Sequence, residues 1–270
     1  MSDAQTDSRA PATDSTSPVV FSNQGRVATL EFNKPTKFNT LSEETLDALL
    51  SYFDEIANNP EIAVVIIAAR GKAFCTGHDM KEMHANREQG FYERLLAKCS
   101  TMMQQISQLP QPVIAQVQGI ATAAGCQLVA SCDLAIAGHS ASFATSGINN
   151  GLFCATPGVA LGRAVSRKHA LEMLFTGDFI SADRAAEIGL INRAVADTDL
   201  EAETKALAAK IAEKSRYAIR LGKRSYYKQI NEDLPTAYAS ASADLVDNLL
   251  ATDGVEGVNA FIEKRSPEWE

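Results

Sequence analysis

Two hydrophobic periods alternate along the chain. Arg26 to Phe32 reads Arg-Val-Ala-Thr-Leu-Glu-Phe, alternating as a half-exposed strand does. Ala63 to Ala69 is a continuous apolar run, as in a strand covered on both faces. Val113 to Val117 and Leu134 to Ala137 are two further apolar runs of strand length. Between them the period becomes helical. Leu46, Leu49, Leu50, Phe53 and Ile56 mark one face of a helix that Ser42 caps, with Glu43 and Glu44 in the first turn, where the helix dipole favours acids. Phe91, Leu95, Cys99, Met102, Met103 and Ile106 mark a second helix inside Arg87 to Leu109, stopped by Pro110 and Pro112. Strands alternating with helices predict an α/β fold with a parallel sheet and right-handed crossovers.

Asn33 to Thr40 and Gly71 to Glu82 read as loops, as does the Gly- and Asn-rich stretch Ser146 to Gly151. Val159 to Val165 is predicted helical after Pro157-Gly158. From Arg167 the character changes. A helix over Leu171 to Phe175 ends at Gly177, and Ser181 caps a short helix closed by Gly189. Leu190 to Val195 suits a strand, and four helices follow near 200–214, 217–229, 235–250 and 254–264. The chain therefore divides into a leader over 1–18, an α/β core over 19–195 and a helical region over 196–270.

Composition narrows the function classes. A formal net charge of −8 over 270 residues argues against nucleic acid or an anionic membrane as the main partner. No apolar run approaches the roughly 20 residues of a membrane span. The first 18 residues are mostly Ser, Thr, Asp, Ala and Pro, without the apolar stretch of a secretory signal and with acids that a transit peptide avoids. They read as a disordered leader on a cytoplasmic protein. Five cysteines form no CxxC pair and read as buried small hydrophobes in a reducing compartment. Four histidines lack zinc-ligand spacing, so no metal is expected.

The stretch from Val113 to Ala137 holds the densest candidate chemistry. A strand leads into a small-residue turn, Gly119 to Gly125, and then into a helix over Cys126 to Ser131. Small residues at such a turn let a ligand approach the backbone, and the first helical turn offers unpaired N–H groups to negative charge. A tight βα corner of no functional consequence has the same pattern.

Four blocks carry a family resemblance: Asn33-Lys-Pro-Thr-Lys-Phe-Asn-Thr-Leu41, Ala73-Phe-Cys-Thr-Gly-His-Asp-Met-Lys-Glu82, the stretch Val113 to Ala137, and Leu171 to Leu190. In this order and spacing they resemble the enoyl-CoA hydratase/isomerase (crotonase) superfamily. The resemblance covers about Val19 to Arg265. It implies a crotonase-like ββα spiral core with a C-terminal helical trimerisation region. It implies a homotrimer or dimer of trimers, and an acyl-CoA ligand with coenzyme A as part of the substrate and no prosthetic group. The shared chemistry is a thioester enolate held by two backbone N–H groups, which by motif fall on His78 and Ala124. The His78 imidazole is a further candidate to bond substrate or to move a proton. Lys37, Phe38, Thr76 and Met80 match positions that hold the nucleotide end. Phe261 and Lys264 match positions on the last helix that reach a neighbour's coenzyme A.

One departure matters. Hydratases of this family use two glutamates to orient water and move its proton. Here the corresponding positions are Gln127, whose amide does not titrate, and Gly147, which has no side chain. Weak hydratase activity is therefore expected. A decarboxylase or hydrolase of the same fold, or an acyl-CoA-binding oligomer without catalysis, are the alternatives. Asp79 is expected to orient its loop and Asp133 to act as a structural cap.

Overall fold

The computed structural model of the chain describes residues 17–270. Except for Ser17 and Pro18, the expected leader lies outside the described residues. The larger sheet runs in the order β1 (Val19–Gln24), β2 (Val27–Phe32), β3 (Val64–Ala69), β5 (Val113–Val117), β7 (Leu134–Gly138) and β10 (Arg193–Val195). β1 is antiparallel to β2, and every other pairing is parallel, as alternation of strands with helices requires.

The apolar run of β3 has a direct explanation. Successive side chains point to opposite faces. Val65 and Ile67 enter the main core with Leu46, Leu49 and Phe53 of α1 (Glu43–Ala57) and Leu95 and Met102 of α3 (Gln89–Gln108). Val64, Ile66 and Ala68 enter a second cluster with Ile114 of β5 and Ala208 of α8 (Leu200–Ala212). Each buried Val, Leu, Ile, Phe or Met side chain contributes about 1.5–3 kcal/mol relative to exposure. α8 lies past the boundary drawn at Val195, yet it packs on β2, β3, β5 and β7 and covers the second face of the sheet.

Ser42 Oγ accepts the Thr45 N–H at 3.3 Å, and Ser181 Oγ accepts the Arg184 N–H at 3.2 Å at the head of α7 (Ala182–Glu187), as their sequence positions predict. α5 (Ala155–Ala164) starts before Pro157-Gly158 rather than after it, and α6 (Arg167–Thr176) starts ahead of Leu171. A proline in a first turn lacks only an N–H that has no intrahelical acceptor there.

A second sheet holds β4 (Ala73–Cys75), β6 (Ile120–Thr122), β8 (Ser142–Ala144) and β9 (Ile180–Ser181). β4, β6 and β8 are parallel, and β9 is antiparallel to β8. Each long strand β3, β5 and β7 turns within a few residues into a short one. β4 and β6 then feed α2 (Met80–Ala85) and α4 (Ala124–Ser131). These are ββα units. The stretches read as a loop and a turn in the sequence contain β4, α2 and β6, and α4 starts at Ala124 rather than Cys126. A β-carbon on Gly125 would lie 2.0 Å from the Cys75 carbonyl oxygen, so only glycine lets α4 sit against β4.

The C-terminal helices are α9 (Arg216–Gln229), α10 (Leu234–Leu250) and α11 (Thr252–Glu263). Lys223 of α9 donates to Ile106 O (2.7 Å), Gln111 O (2.9 Å) and Asp133 Oδ2 (2.6 Å). Asp133 also accepts the Val113 N–H at 2.7 Å and the Tyr227 hydroxyl at 2.8 Å. The aspartate read as a cap is the centre of a network that locks α9 to the core. Burial lowers the Lys223 pKa, and the neighbouring Asp133 carboxylate opposes that shift.

All five cysteines are free, and four are buried. Burial pushes the thiols of Cys75, Cys99 and Cys126 up to about 12, which makes them packing residues rather than nucleophiles. Among the described residues no helix is long and apolar enough to cross a membrane. Among the same residues, no group of three or more His, Cys, Asp or Glu is placed to hold a metal.

Candidate active site

Two loops are clamped side by side. The first, 33–41, contains a 3-10 turn over Pro35–Lys37, followed by Phe38 and Asn39 at φ of 52° and 53°. Asn39 is buried. Its Nδ2 donates to Arg70 O (2.9 Å) and Ala73 O (2.8 Å), and its Oδ1 accepts the Lys34 N–H (3.0 Å). Asparagine tolerates the left-handed backbone that this turn needs. The second loop leaves β4 at Thr76. The Leu41 N–H donates to Gly77 O at 2.8 Å, and Thr76 Oγ1 donates to Phe38 O at 3.3 Å. Lys37, Phe38, Thr76, His78 and Met80 are therefore brought together, with Lys37, Phe38 and Met80 exposed.

The third component is the start of α4. Gly77 (φ +84°) backs onto it: a β-carbon there would lie 3.1 Å from Ala124 N. Ala123 precedes the helix at φ 51° and ψ −121°, a conformation that costs a residue with a β-carbon about 1–3 kcal/mol. Its N–H is held by Ala144 O at 3.0 Å. Alanine supplies no side-chain cap. The first-turn N–H groups of Ala124 and Gly125 thus lack an intrahelical acceptor.

Around these backbone groups sit four notable side chains. Gln127 on α4 is only 5% exposed, and its Oε1 has no hydrogen-bond partner among the described residues. A buried polar atom left unpaired costs about 1–3 kcal/mol, and a bound ligand or water is one explanation for such an atom. His78 Nδ1 lies 3.2 Å from Leu41 O, and its Nε2 is buried without a partner. A carbonyl only accepts, so Nδ1 carries the proton and Nε2 keeps its lone pair. Burial lowers the His78 pKa, and the Leu41 carbonyl opposes this. Thr122 Oγ1 and Ser146 Oγ share a hydrogen bond of 2.8 Å beside Gly147.

Gly147 itself is sterically closed. A β-carbon there would lie 2.6 Å from Leu152 O and 2.8 Å from Cys154 Sγ. Asp79 accepts the Lys81 and Glu82 N–H groups at 2.9 and 3.2 Å, the loop-orienting role its position predicts. Phe261 and Lys264 are not part of this group. Phe261 lies on α11 and Lys264 caps its end; α11 packs on α9 and α10, and Phe261 is 84% exposed. A cleft of about 800 Å³ between α9 and the turns before β3 and β5 contains none of the candidate residues. The Thr122–Ser146 pair and the Leu41 carbonyl have no signal in the sequence, because each becomes relevant only through a partner far away along the chain.

A core of ββα units with helices on both sides of a mostly parallel sheet defines a crotonase-type fold. Residues 22–270 match the model of the family Enoyl-CoA hydratase/isomerase, and the chain belongs to that family. It is 48% identical to the mouse (Mus musculus) protein named Enoyl-CoA hydratase domain-containing protein 3, mitochondrial, over 91% of this chain and 82% of the relative. Among solved structures it matches an enoyl-CoA hydratase from Mycobacterium smegmatis with a TM-score of 0.92 and 51% identity, covering 93% of this chain and 98% of that one. The human enoyl Coenzyme A hydratase domain-containing protein 3 matches with a TM-score of 0.91 and 47% identity, covering 93% and 100%. The runs Gln116 to Asp133 and Gly151 to Gly158 are the sequence stretches that point to this branch. The expected cytoplasmic location is overturned here: the mouse, rat and human relatives are named mitochondrial. Acidic residues in the first 18 positions are not a sound basis for excluding an organelle.

Proposed function

We propose that the chain binds an acyl-coenzyme A thioester with its carbonyl oxygen between the N–H groups of His78 and Ala124, and that it stabilises the enolate formed there. The observation that carries this assignment is the uncapped start of α4 at Ala123–Ala124, abutting Gly77. Main-chain donors held by such a turn need no reorganisation as charge develops, and each is worth about 2.7–4 kcal/mol in the transition state. Lys37 meets the phosphates of the nucleotide end, where a mobile ammonium suits a diffuse charge. Phe38, Thr76 and Met80 line the same end. Phe261 and Lys264 reach the coenzyme A of a neighbouring protomer in a homotrimer or dimer of trimers.

Gln127 and Gly147 occupy the two hydratase glutamate positions, so hydration of simple 2-enoyl thioesters is weak. Losing one positioned general base costs on the order of 10²–10⁴ in rate. Calorimetric titration with acetoacetyl-CoA and a crotonyl-CoA hydration assay test the assignment together. Saturable binding with hydration at least about a hundredfold below a glutamate-bearing relative is expected. Absence of binding at millimolar thioester overturns the site. Hydration at the relative's own rate overturns the role given to Gln127 and Gly147.

A further inference from the structure

We propose that His78 is the catalytic base of this site, its Nε2 taking and returning one proton, and that the chain shifts the double bond of a 3-enoyl thioester instead of hydrating a 2-enoyl one. This rests on the acyl-CoA assignment above and deepens it. Four observations converge on it.

The first is the hydrogen bond from Nδ1 to Leu41 O, which leaves the lone pair on Nε2. The second is that Nε2 is buried with no protein partner among the described residues. The third is position: the imidazole belongs to the residue whose N–H is proposed above to hold the carbonyl, on the loop pressed against the start of α4. The fourth is the exclusion of rivals. Gln127 does not titrate, and a side chain at Gly147 would strike Leu152 O and Cys154 Sγ.

Of the charged groups on the surrounding elements, the carboxylates are engaged, while Lys37 on the 33–41 loop and Lys81 and His84 on α2 complete the set. Asp79 holds the first N–H groups of α2. Glu82 accepts the Glu43 N–H, and Glu43 pairs with Lys98. The residues of β6 and the first turns of α4, from Ile120 to Gln127, carry no charge. Burial keeps the imidazole neutral at neutral pH, the form a base needs.

The step balances with one base. Nε2 takes a proton from C2 of the 3-enoyl thioester, the C2–H electron pair forms a double bond between C1 and C2, and the carbonyl π pair moves onto the thioester oxygen. The resulting dienolate lies between the His78 and Ala124 N–H groups. It takes a proton back from Nε2 at C4, directly or after that proton has exchanged with solvent, the double bond settles between C2 and C3, and the imidazole is neutral again. No water, oxidant or second acid enters. Hydration, by contrast, calls on one group to activate water and another to deliver a proton.

His78→Asn isolates the role of Nε2. An asparagine Nδ2 stands where the ring Nδ1 stands and keeps a donor for Leu41 O, but nothing replaces Nε2. Wild type and variant are given 3-hexenoyl-CoA in D2O. The conjugated product is followed by its ultraviolet absorbance, and deuterium at C2 and C4 by NMR. Wild type is expected to isomerise, with a rate that falls only on the acid side of pH 6.5. The variant is expected to lose at least about a hundredfold in rate while still binding acetoacetyl-CoA like wild type.

Retention of the rate in His78→Asn overturns the proposal. So does a wild type that binds the thioester yet neither shifts the double bond nor exchanges deuterium, or whose rate does not fall in acid. The wild-type measurements decide even where the variant does not fold. Failure of acetoacetyl-CoA binding is a separate result, and it removes the acyl-CoA assignment itself.

Discussion

At the residue scale, the proposed function turns on three positions. Gln127 stands buried with an unpaired Oε1. Replacing it by glutamate returns one of the two carboxylates, and crotonyl-CoA hydration is expected to rise about tenfold or more. An unchanged rate would show that the side chain does not face the thioester. Gly147 is different, because the Leu152 carbonyl and the Cys154 sulfur fill its β-carbon space. Gly147→Ala overpacks that corner at a cost of about 1–3 kcal/mol, lowering Tm by roughly 2–4 °C per kcal/mol. Calorimetric melting checks this, and an unshifted Tm would mean that the 147–154 loop yields freely. His78 adds a pH effect. Its folded pKa lies below the unfolded value, so the unfolded chain binds the proton more tightly. The stability it supports is present above the unfolded pKa near 6.5 and is lost as pH falls towards the folded value. Urea midpoints for wild type are expected to fall across that window more steeply than for His78→Asn.

At the element scale, α9 shows how one buried cation positions a whole helix. Lys223 satisfies two main-chain carbonyls and one oxygen of Asp133, and Tyr227 satisfies the other. Lys223→Ala leaves a half-buried carboxylate and two carbonyls without that donor. Removing one partner of such a pair typically costs about 3–5 kcal/mol, to be read as a lowered urea midpoint. Lys223→Met, which fills the volume, recovers packing but not the charge. Element legibility followed length. β3, α1 and α3 are visible because a run of six or more residues carries a period. The strands of the second sheet are two or three residues long and carry none. β1 was missed for another reason, since Ser22, Asn23 and Gln24 end it with polar residues at an exposed edge.

At the scale of the whole molecule, the C-terminal helices leave apolar side chains facing solvent. Leu245, Leu249 and Leu250 on α10 and Val258, Phe261 and Ile262 on α11 are all at least 46% exposed. An apolar face of this kind marks an interaction surface. We propose a second and third copy of the chain as the occupants, as the family resemblance implies. Sedimentation equilibrium is expected to give a multiple of the 29.0 kDa chain mass, and Leu249→Lys with Ile262→Lys to shift it towards one chain. A wild type that sediments as a single chain would exclude the oligomer and the shared coenzyme A site with it.

What the sequence determined by itself was whatever short-range order encodes: the periodic strands and helices, the capping residues, the family to which the motifs belong, and the chemical identity of Gln127, Gly147 and His78. None of this required knowing which distant segments meet. Only the tertiary structure decided that Gly77 lies against Ala124, that the His78 Nδ1–H donates to Leu41 O, and that Gly147 has no room for a side chain. The first two depend on packing between segments tens of residues apart, and the third on how the 147–154 loop folds back on itself. Their energies come from close contacts and fixed hydrogen-bond directions, which a linear pattern of apolar and polar residues does not contain.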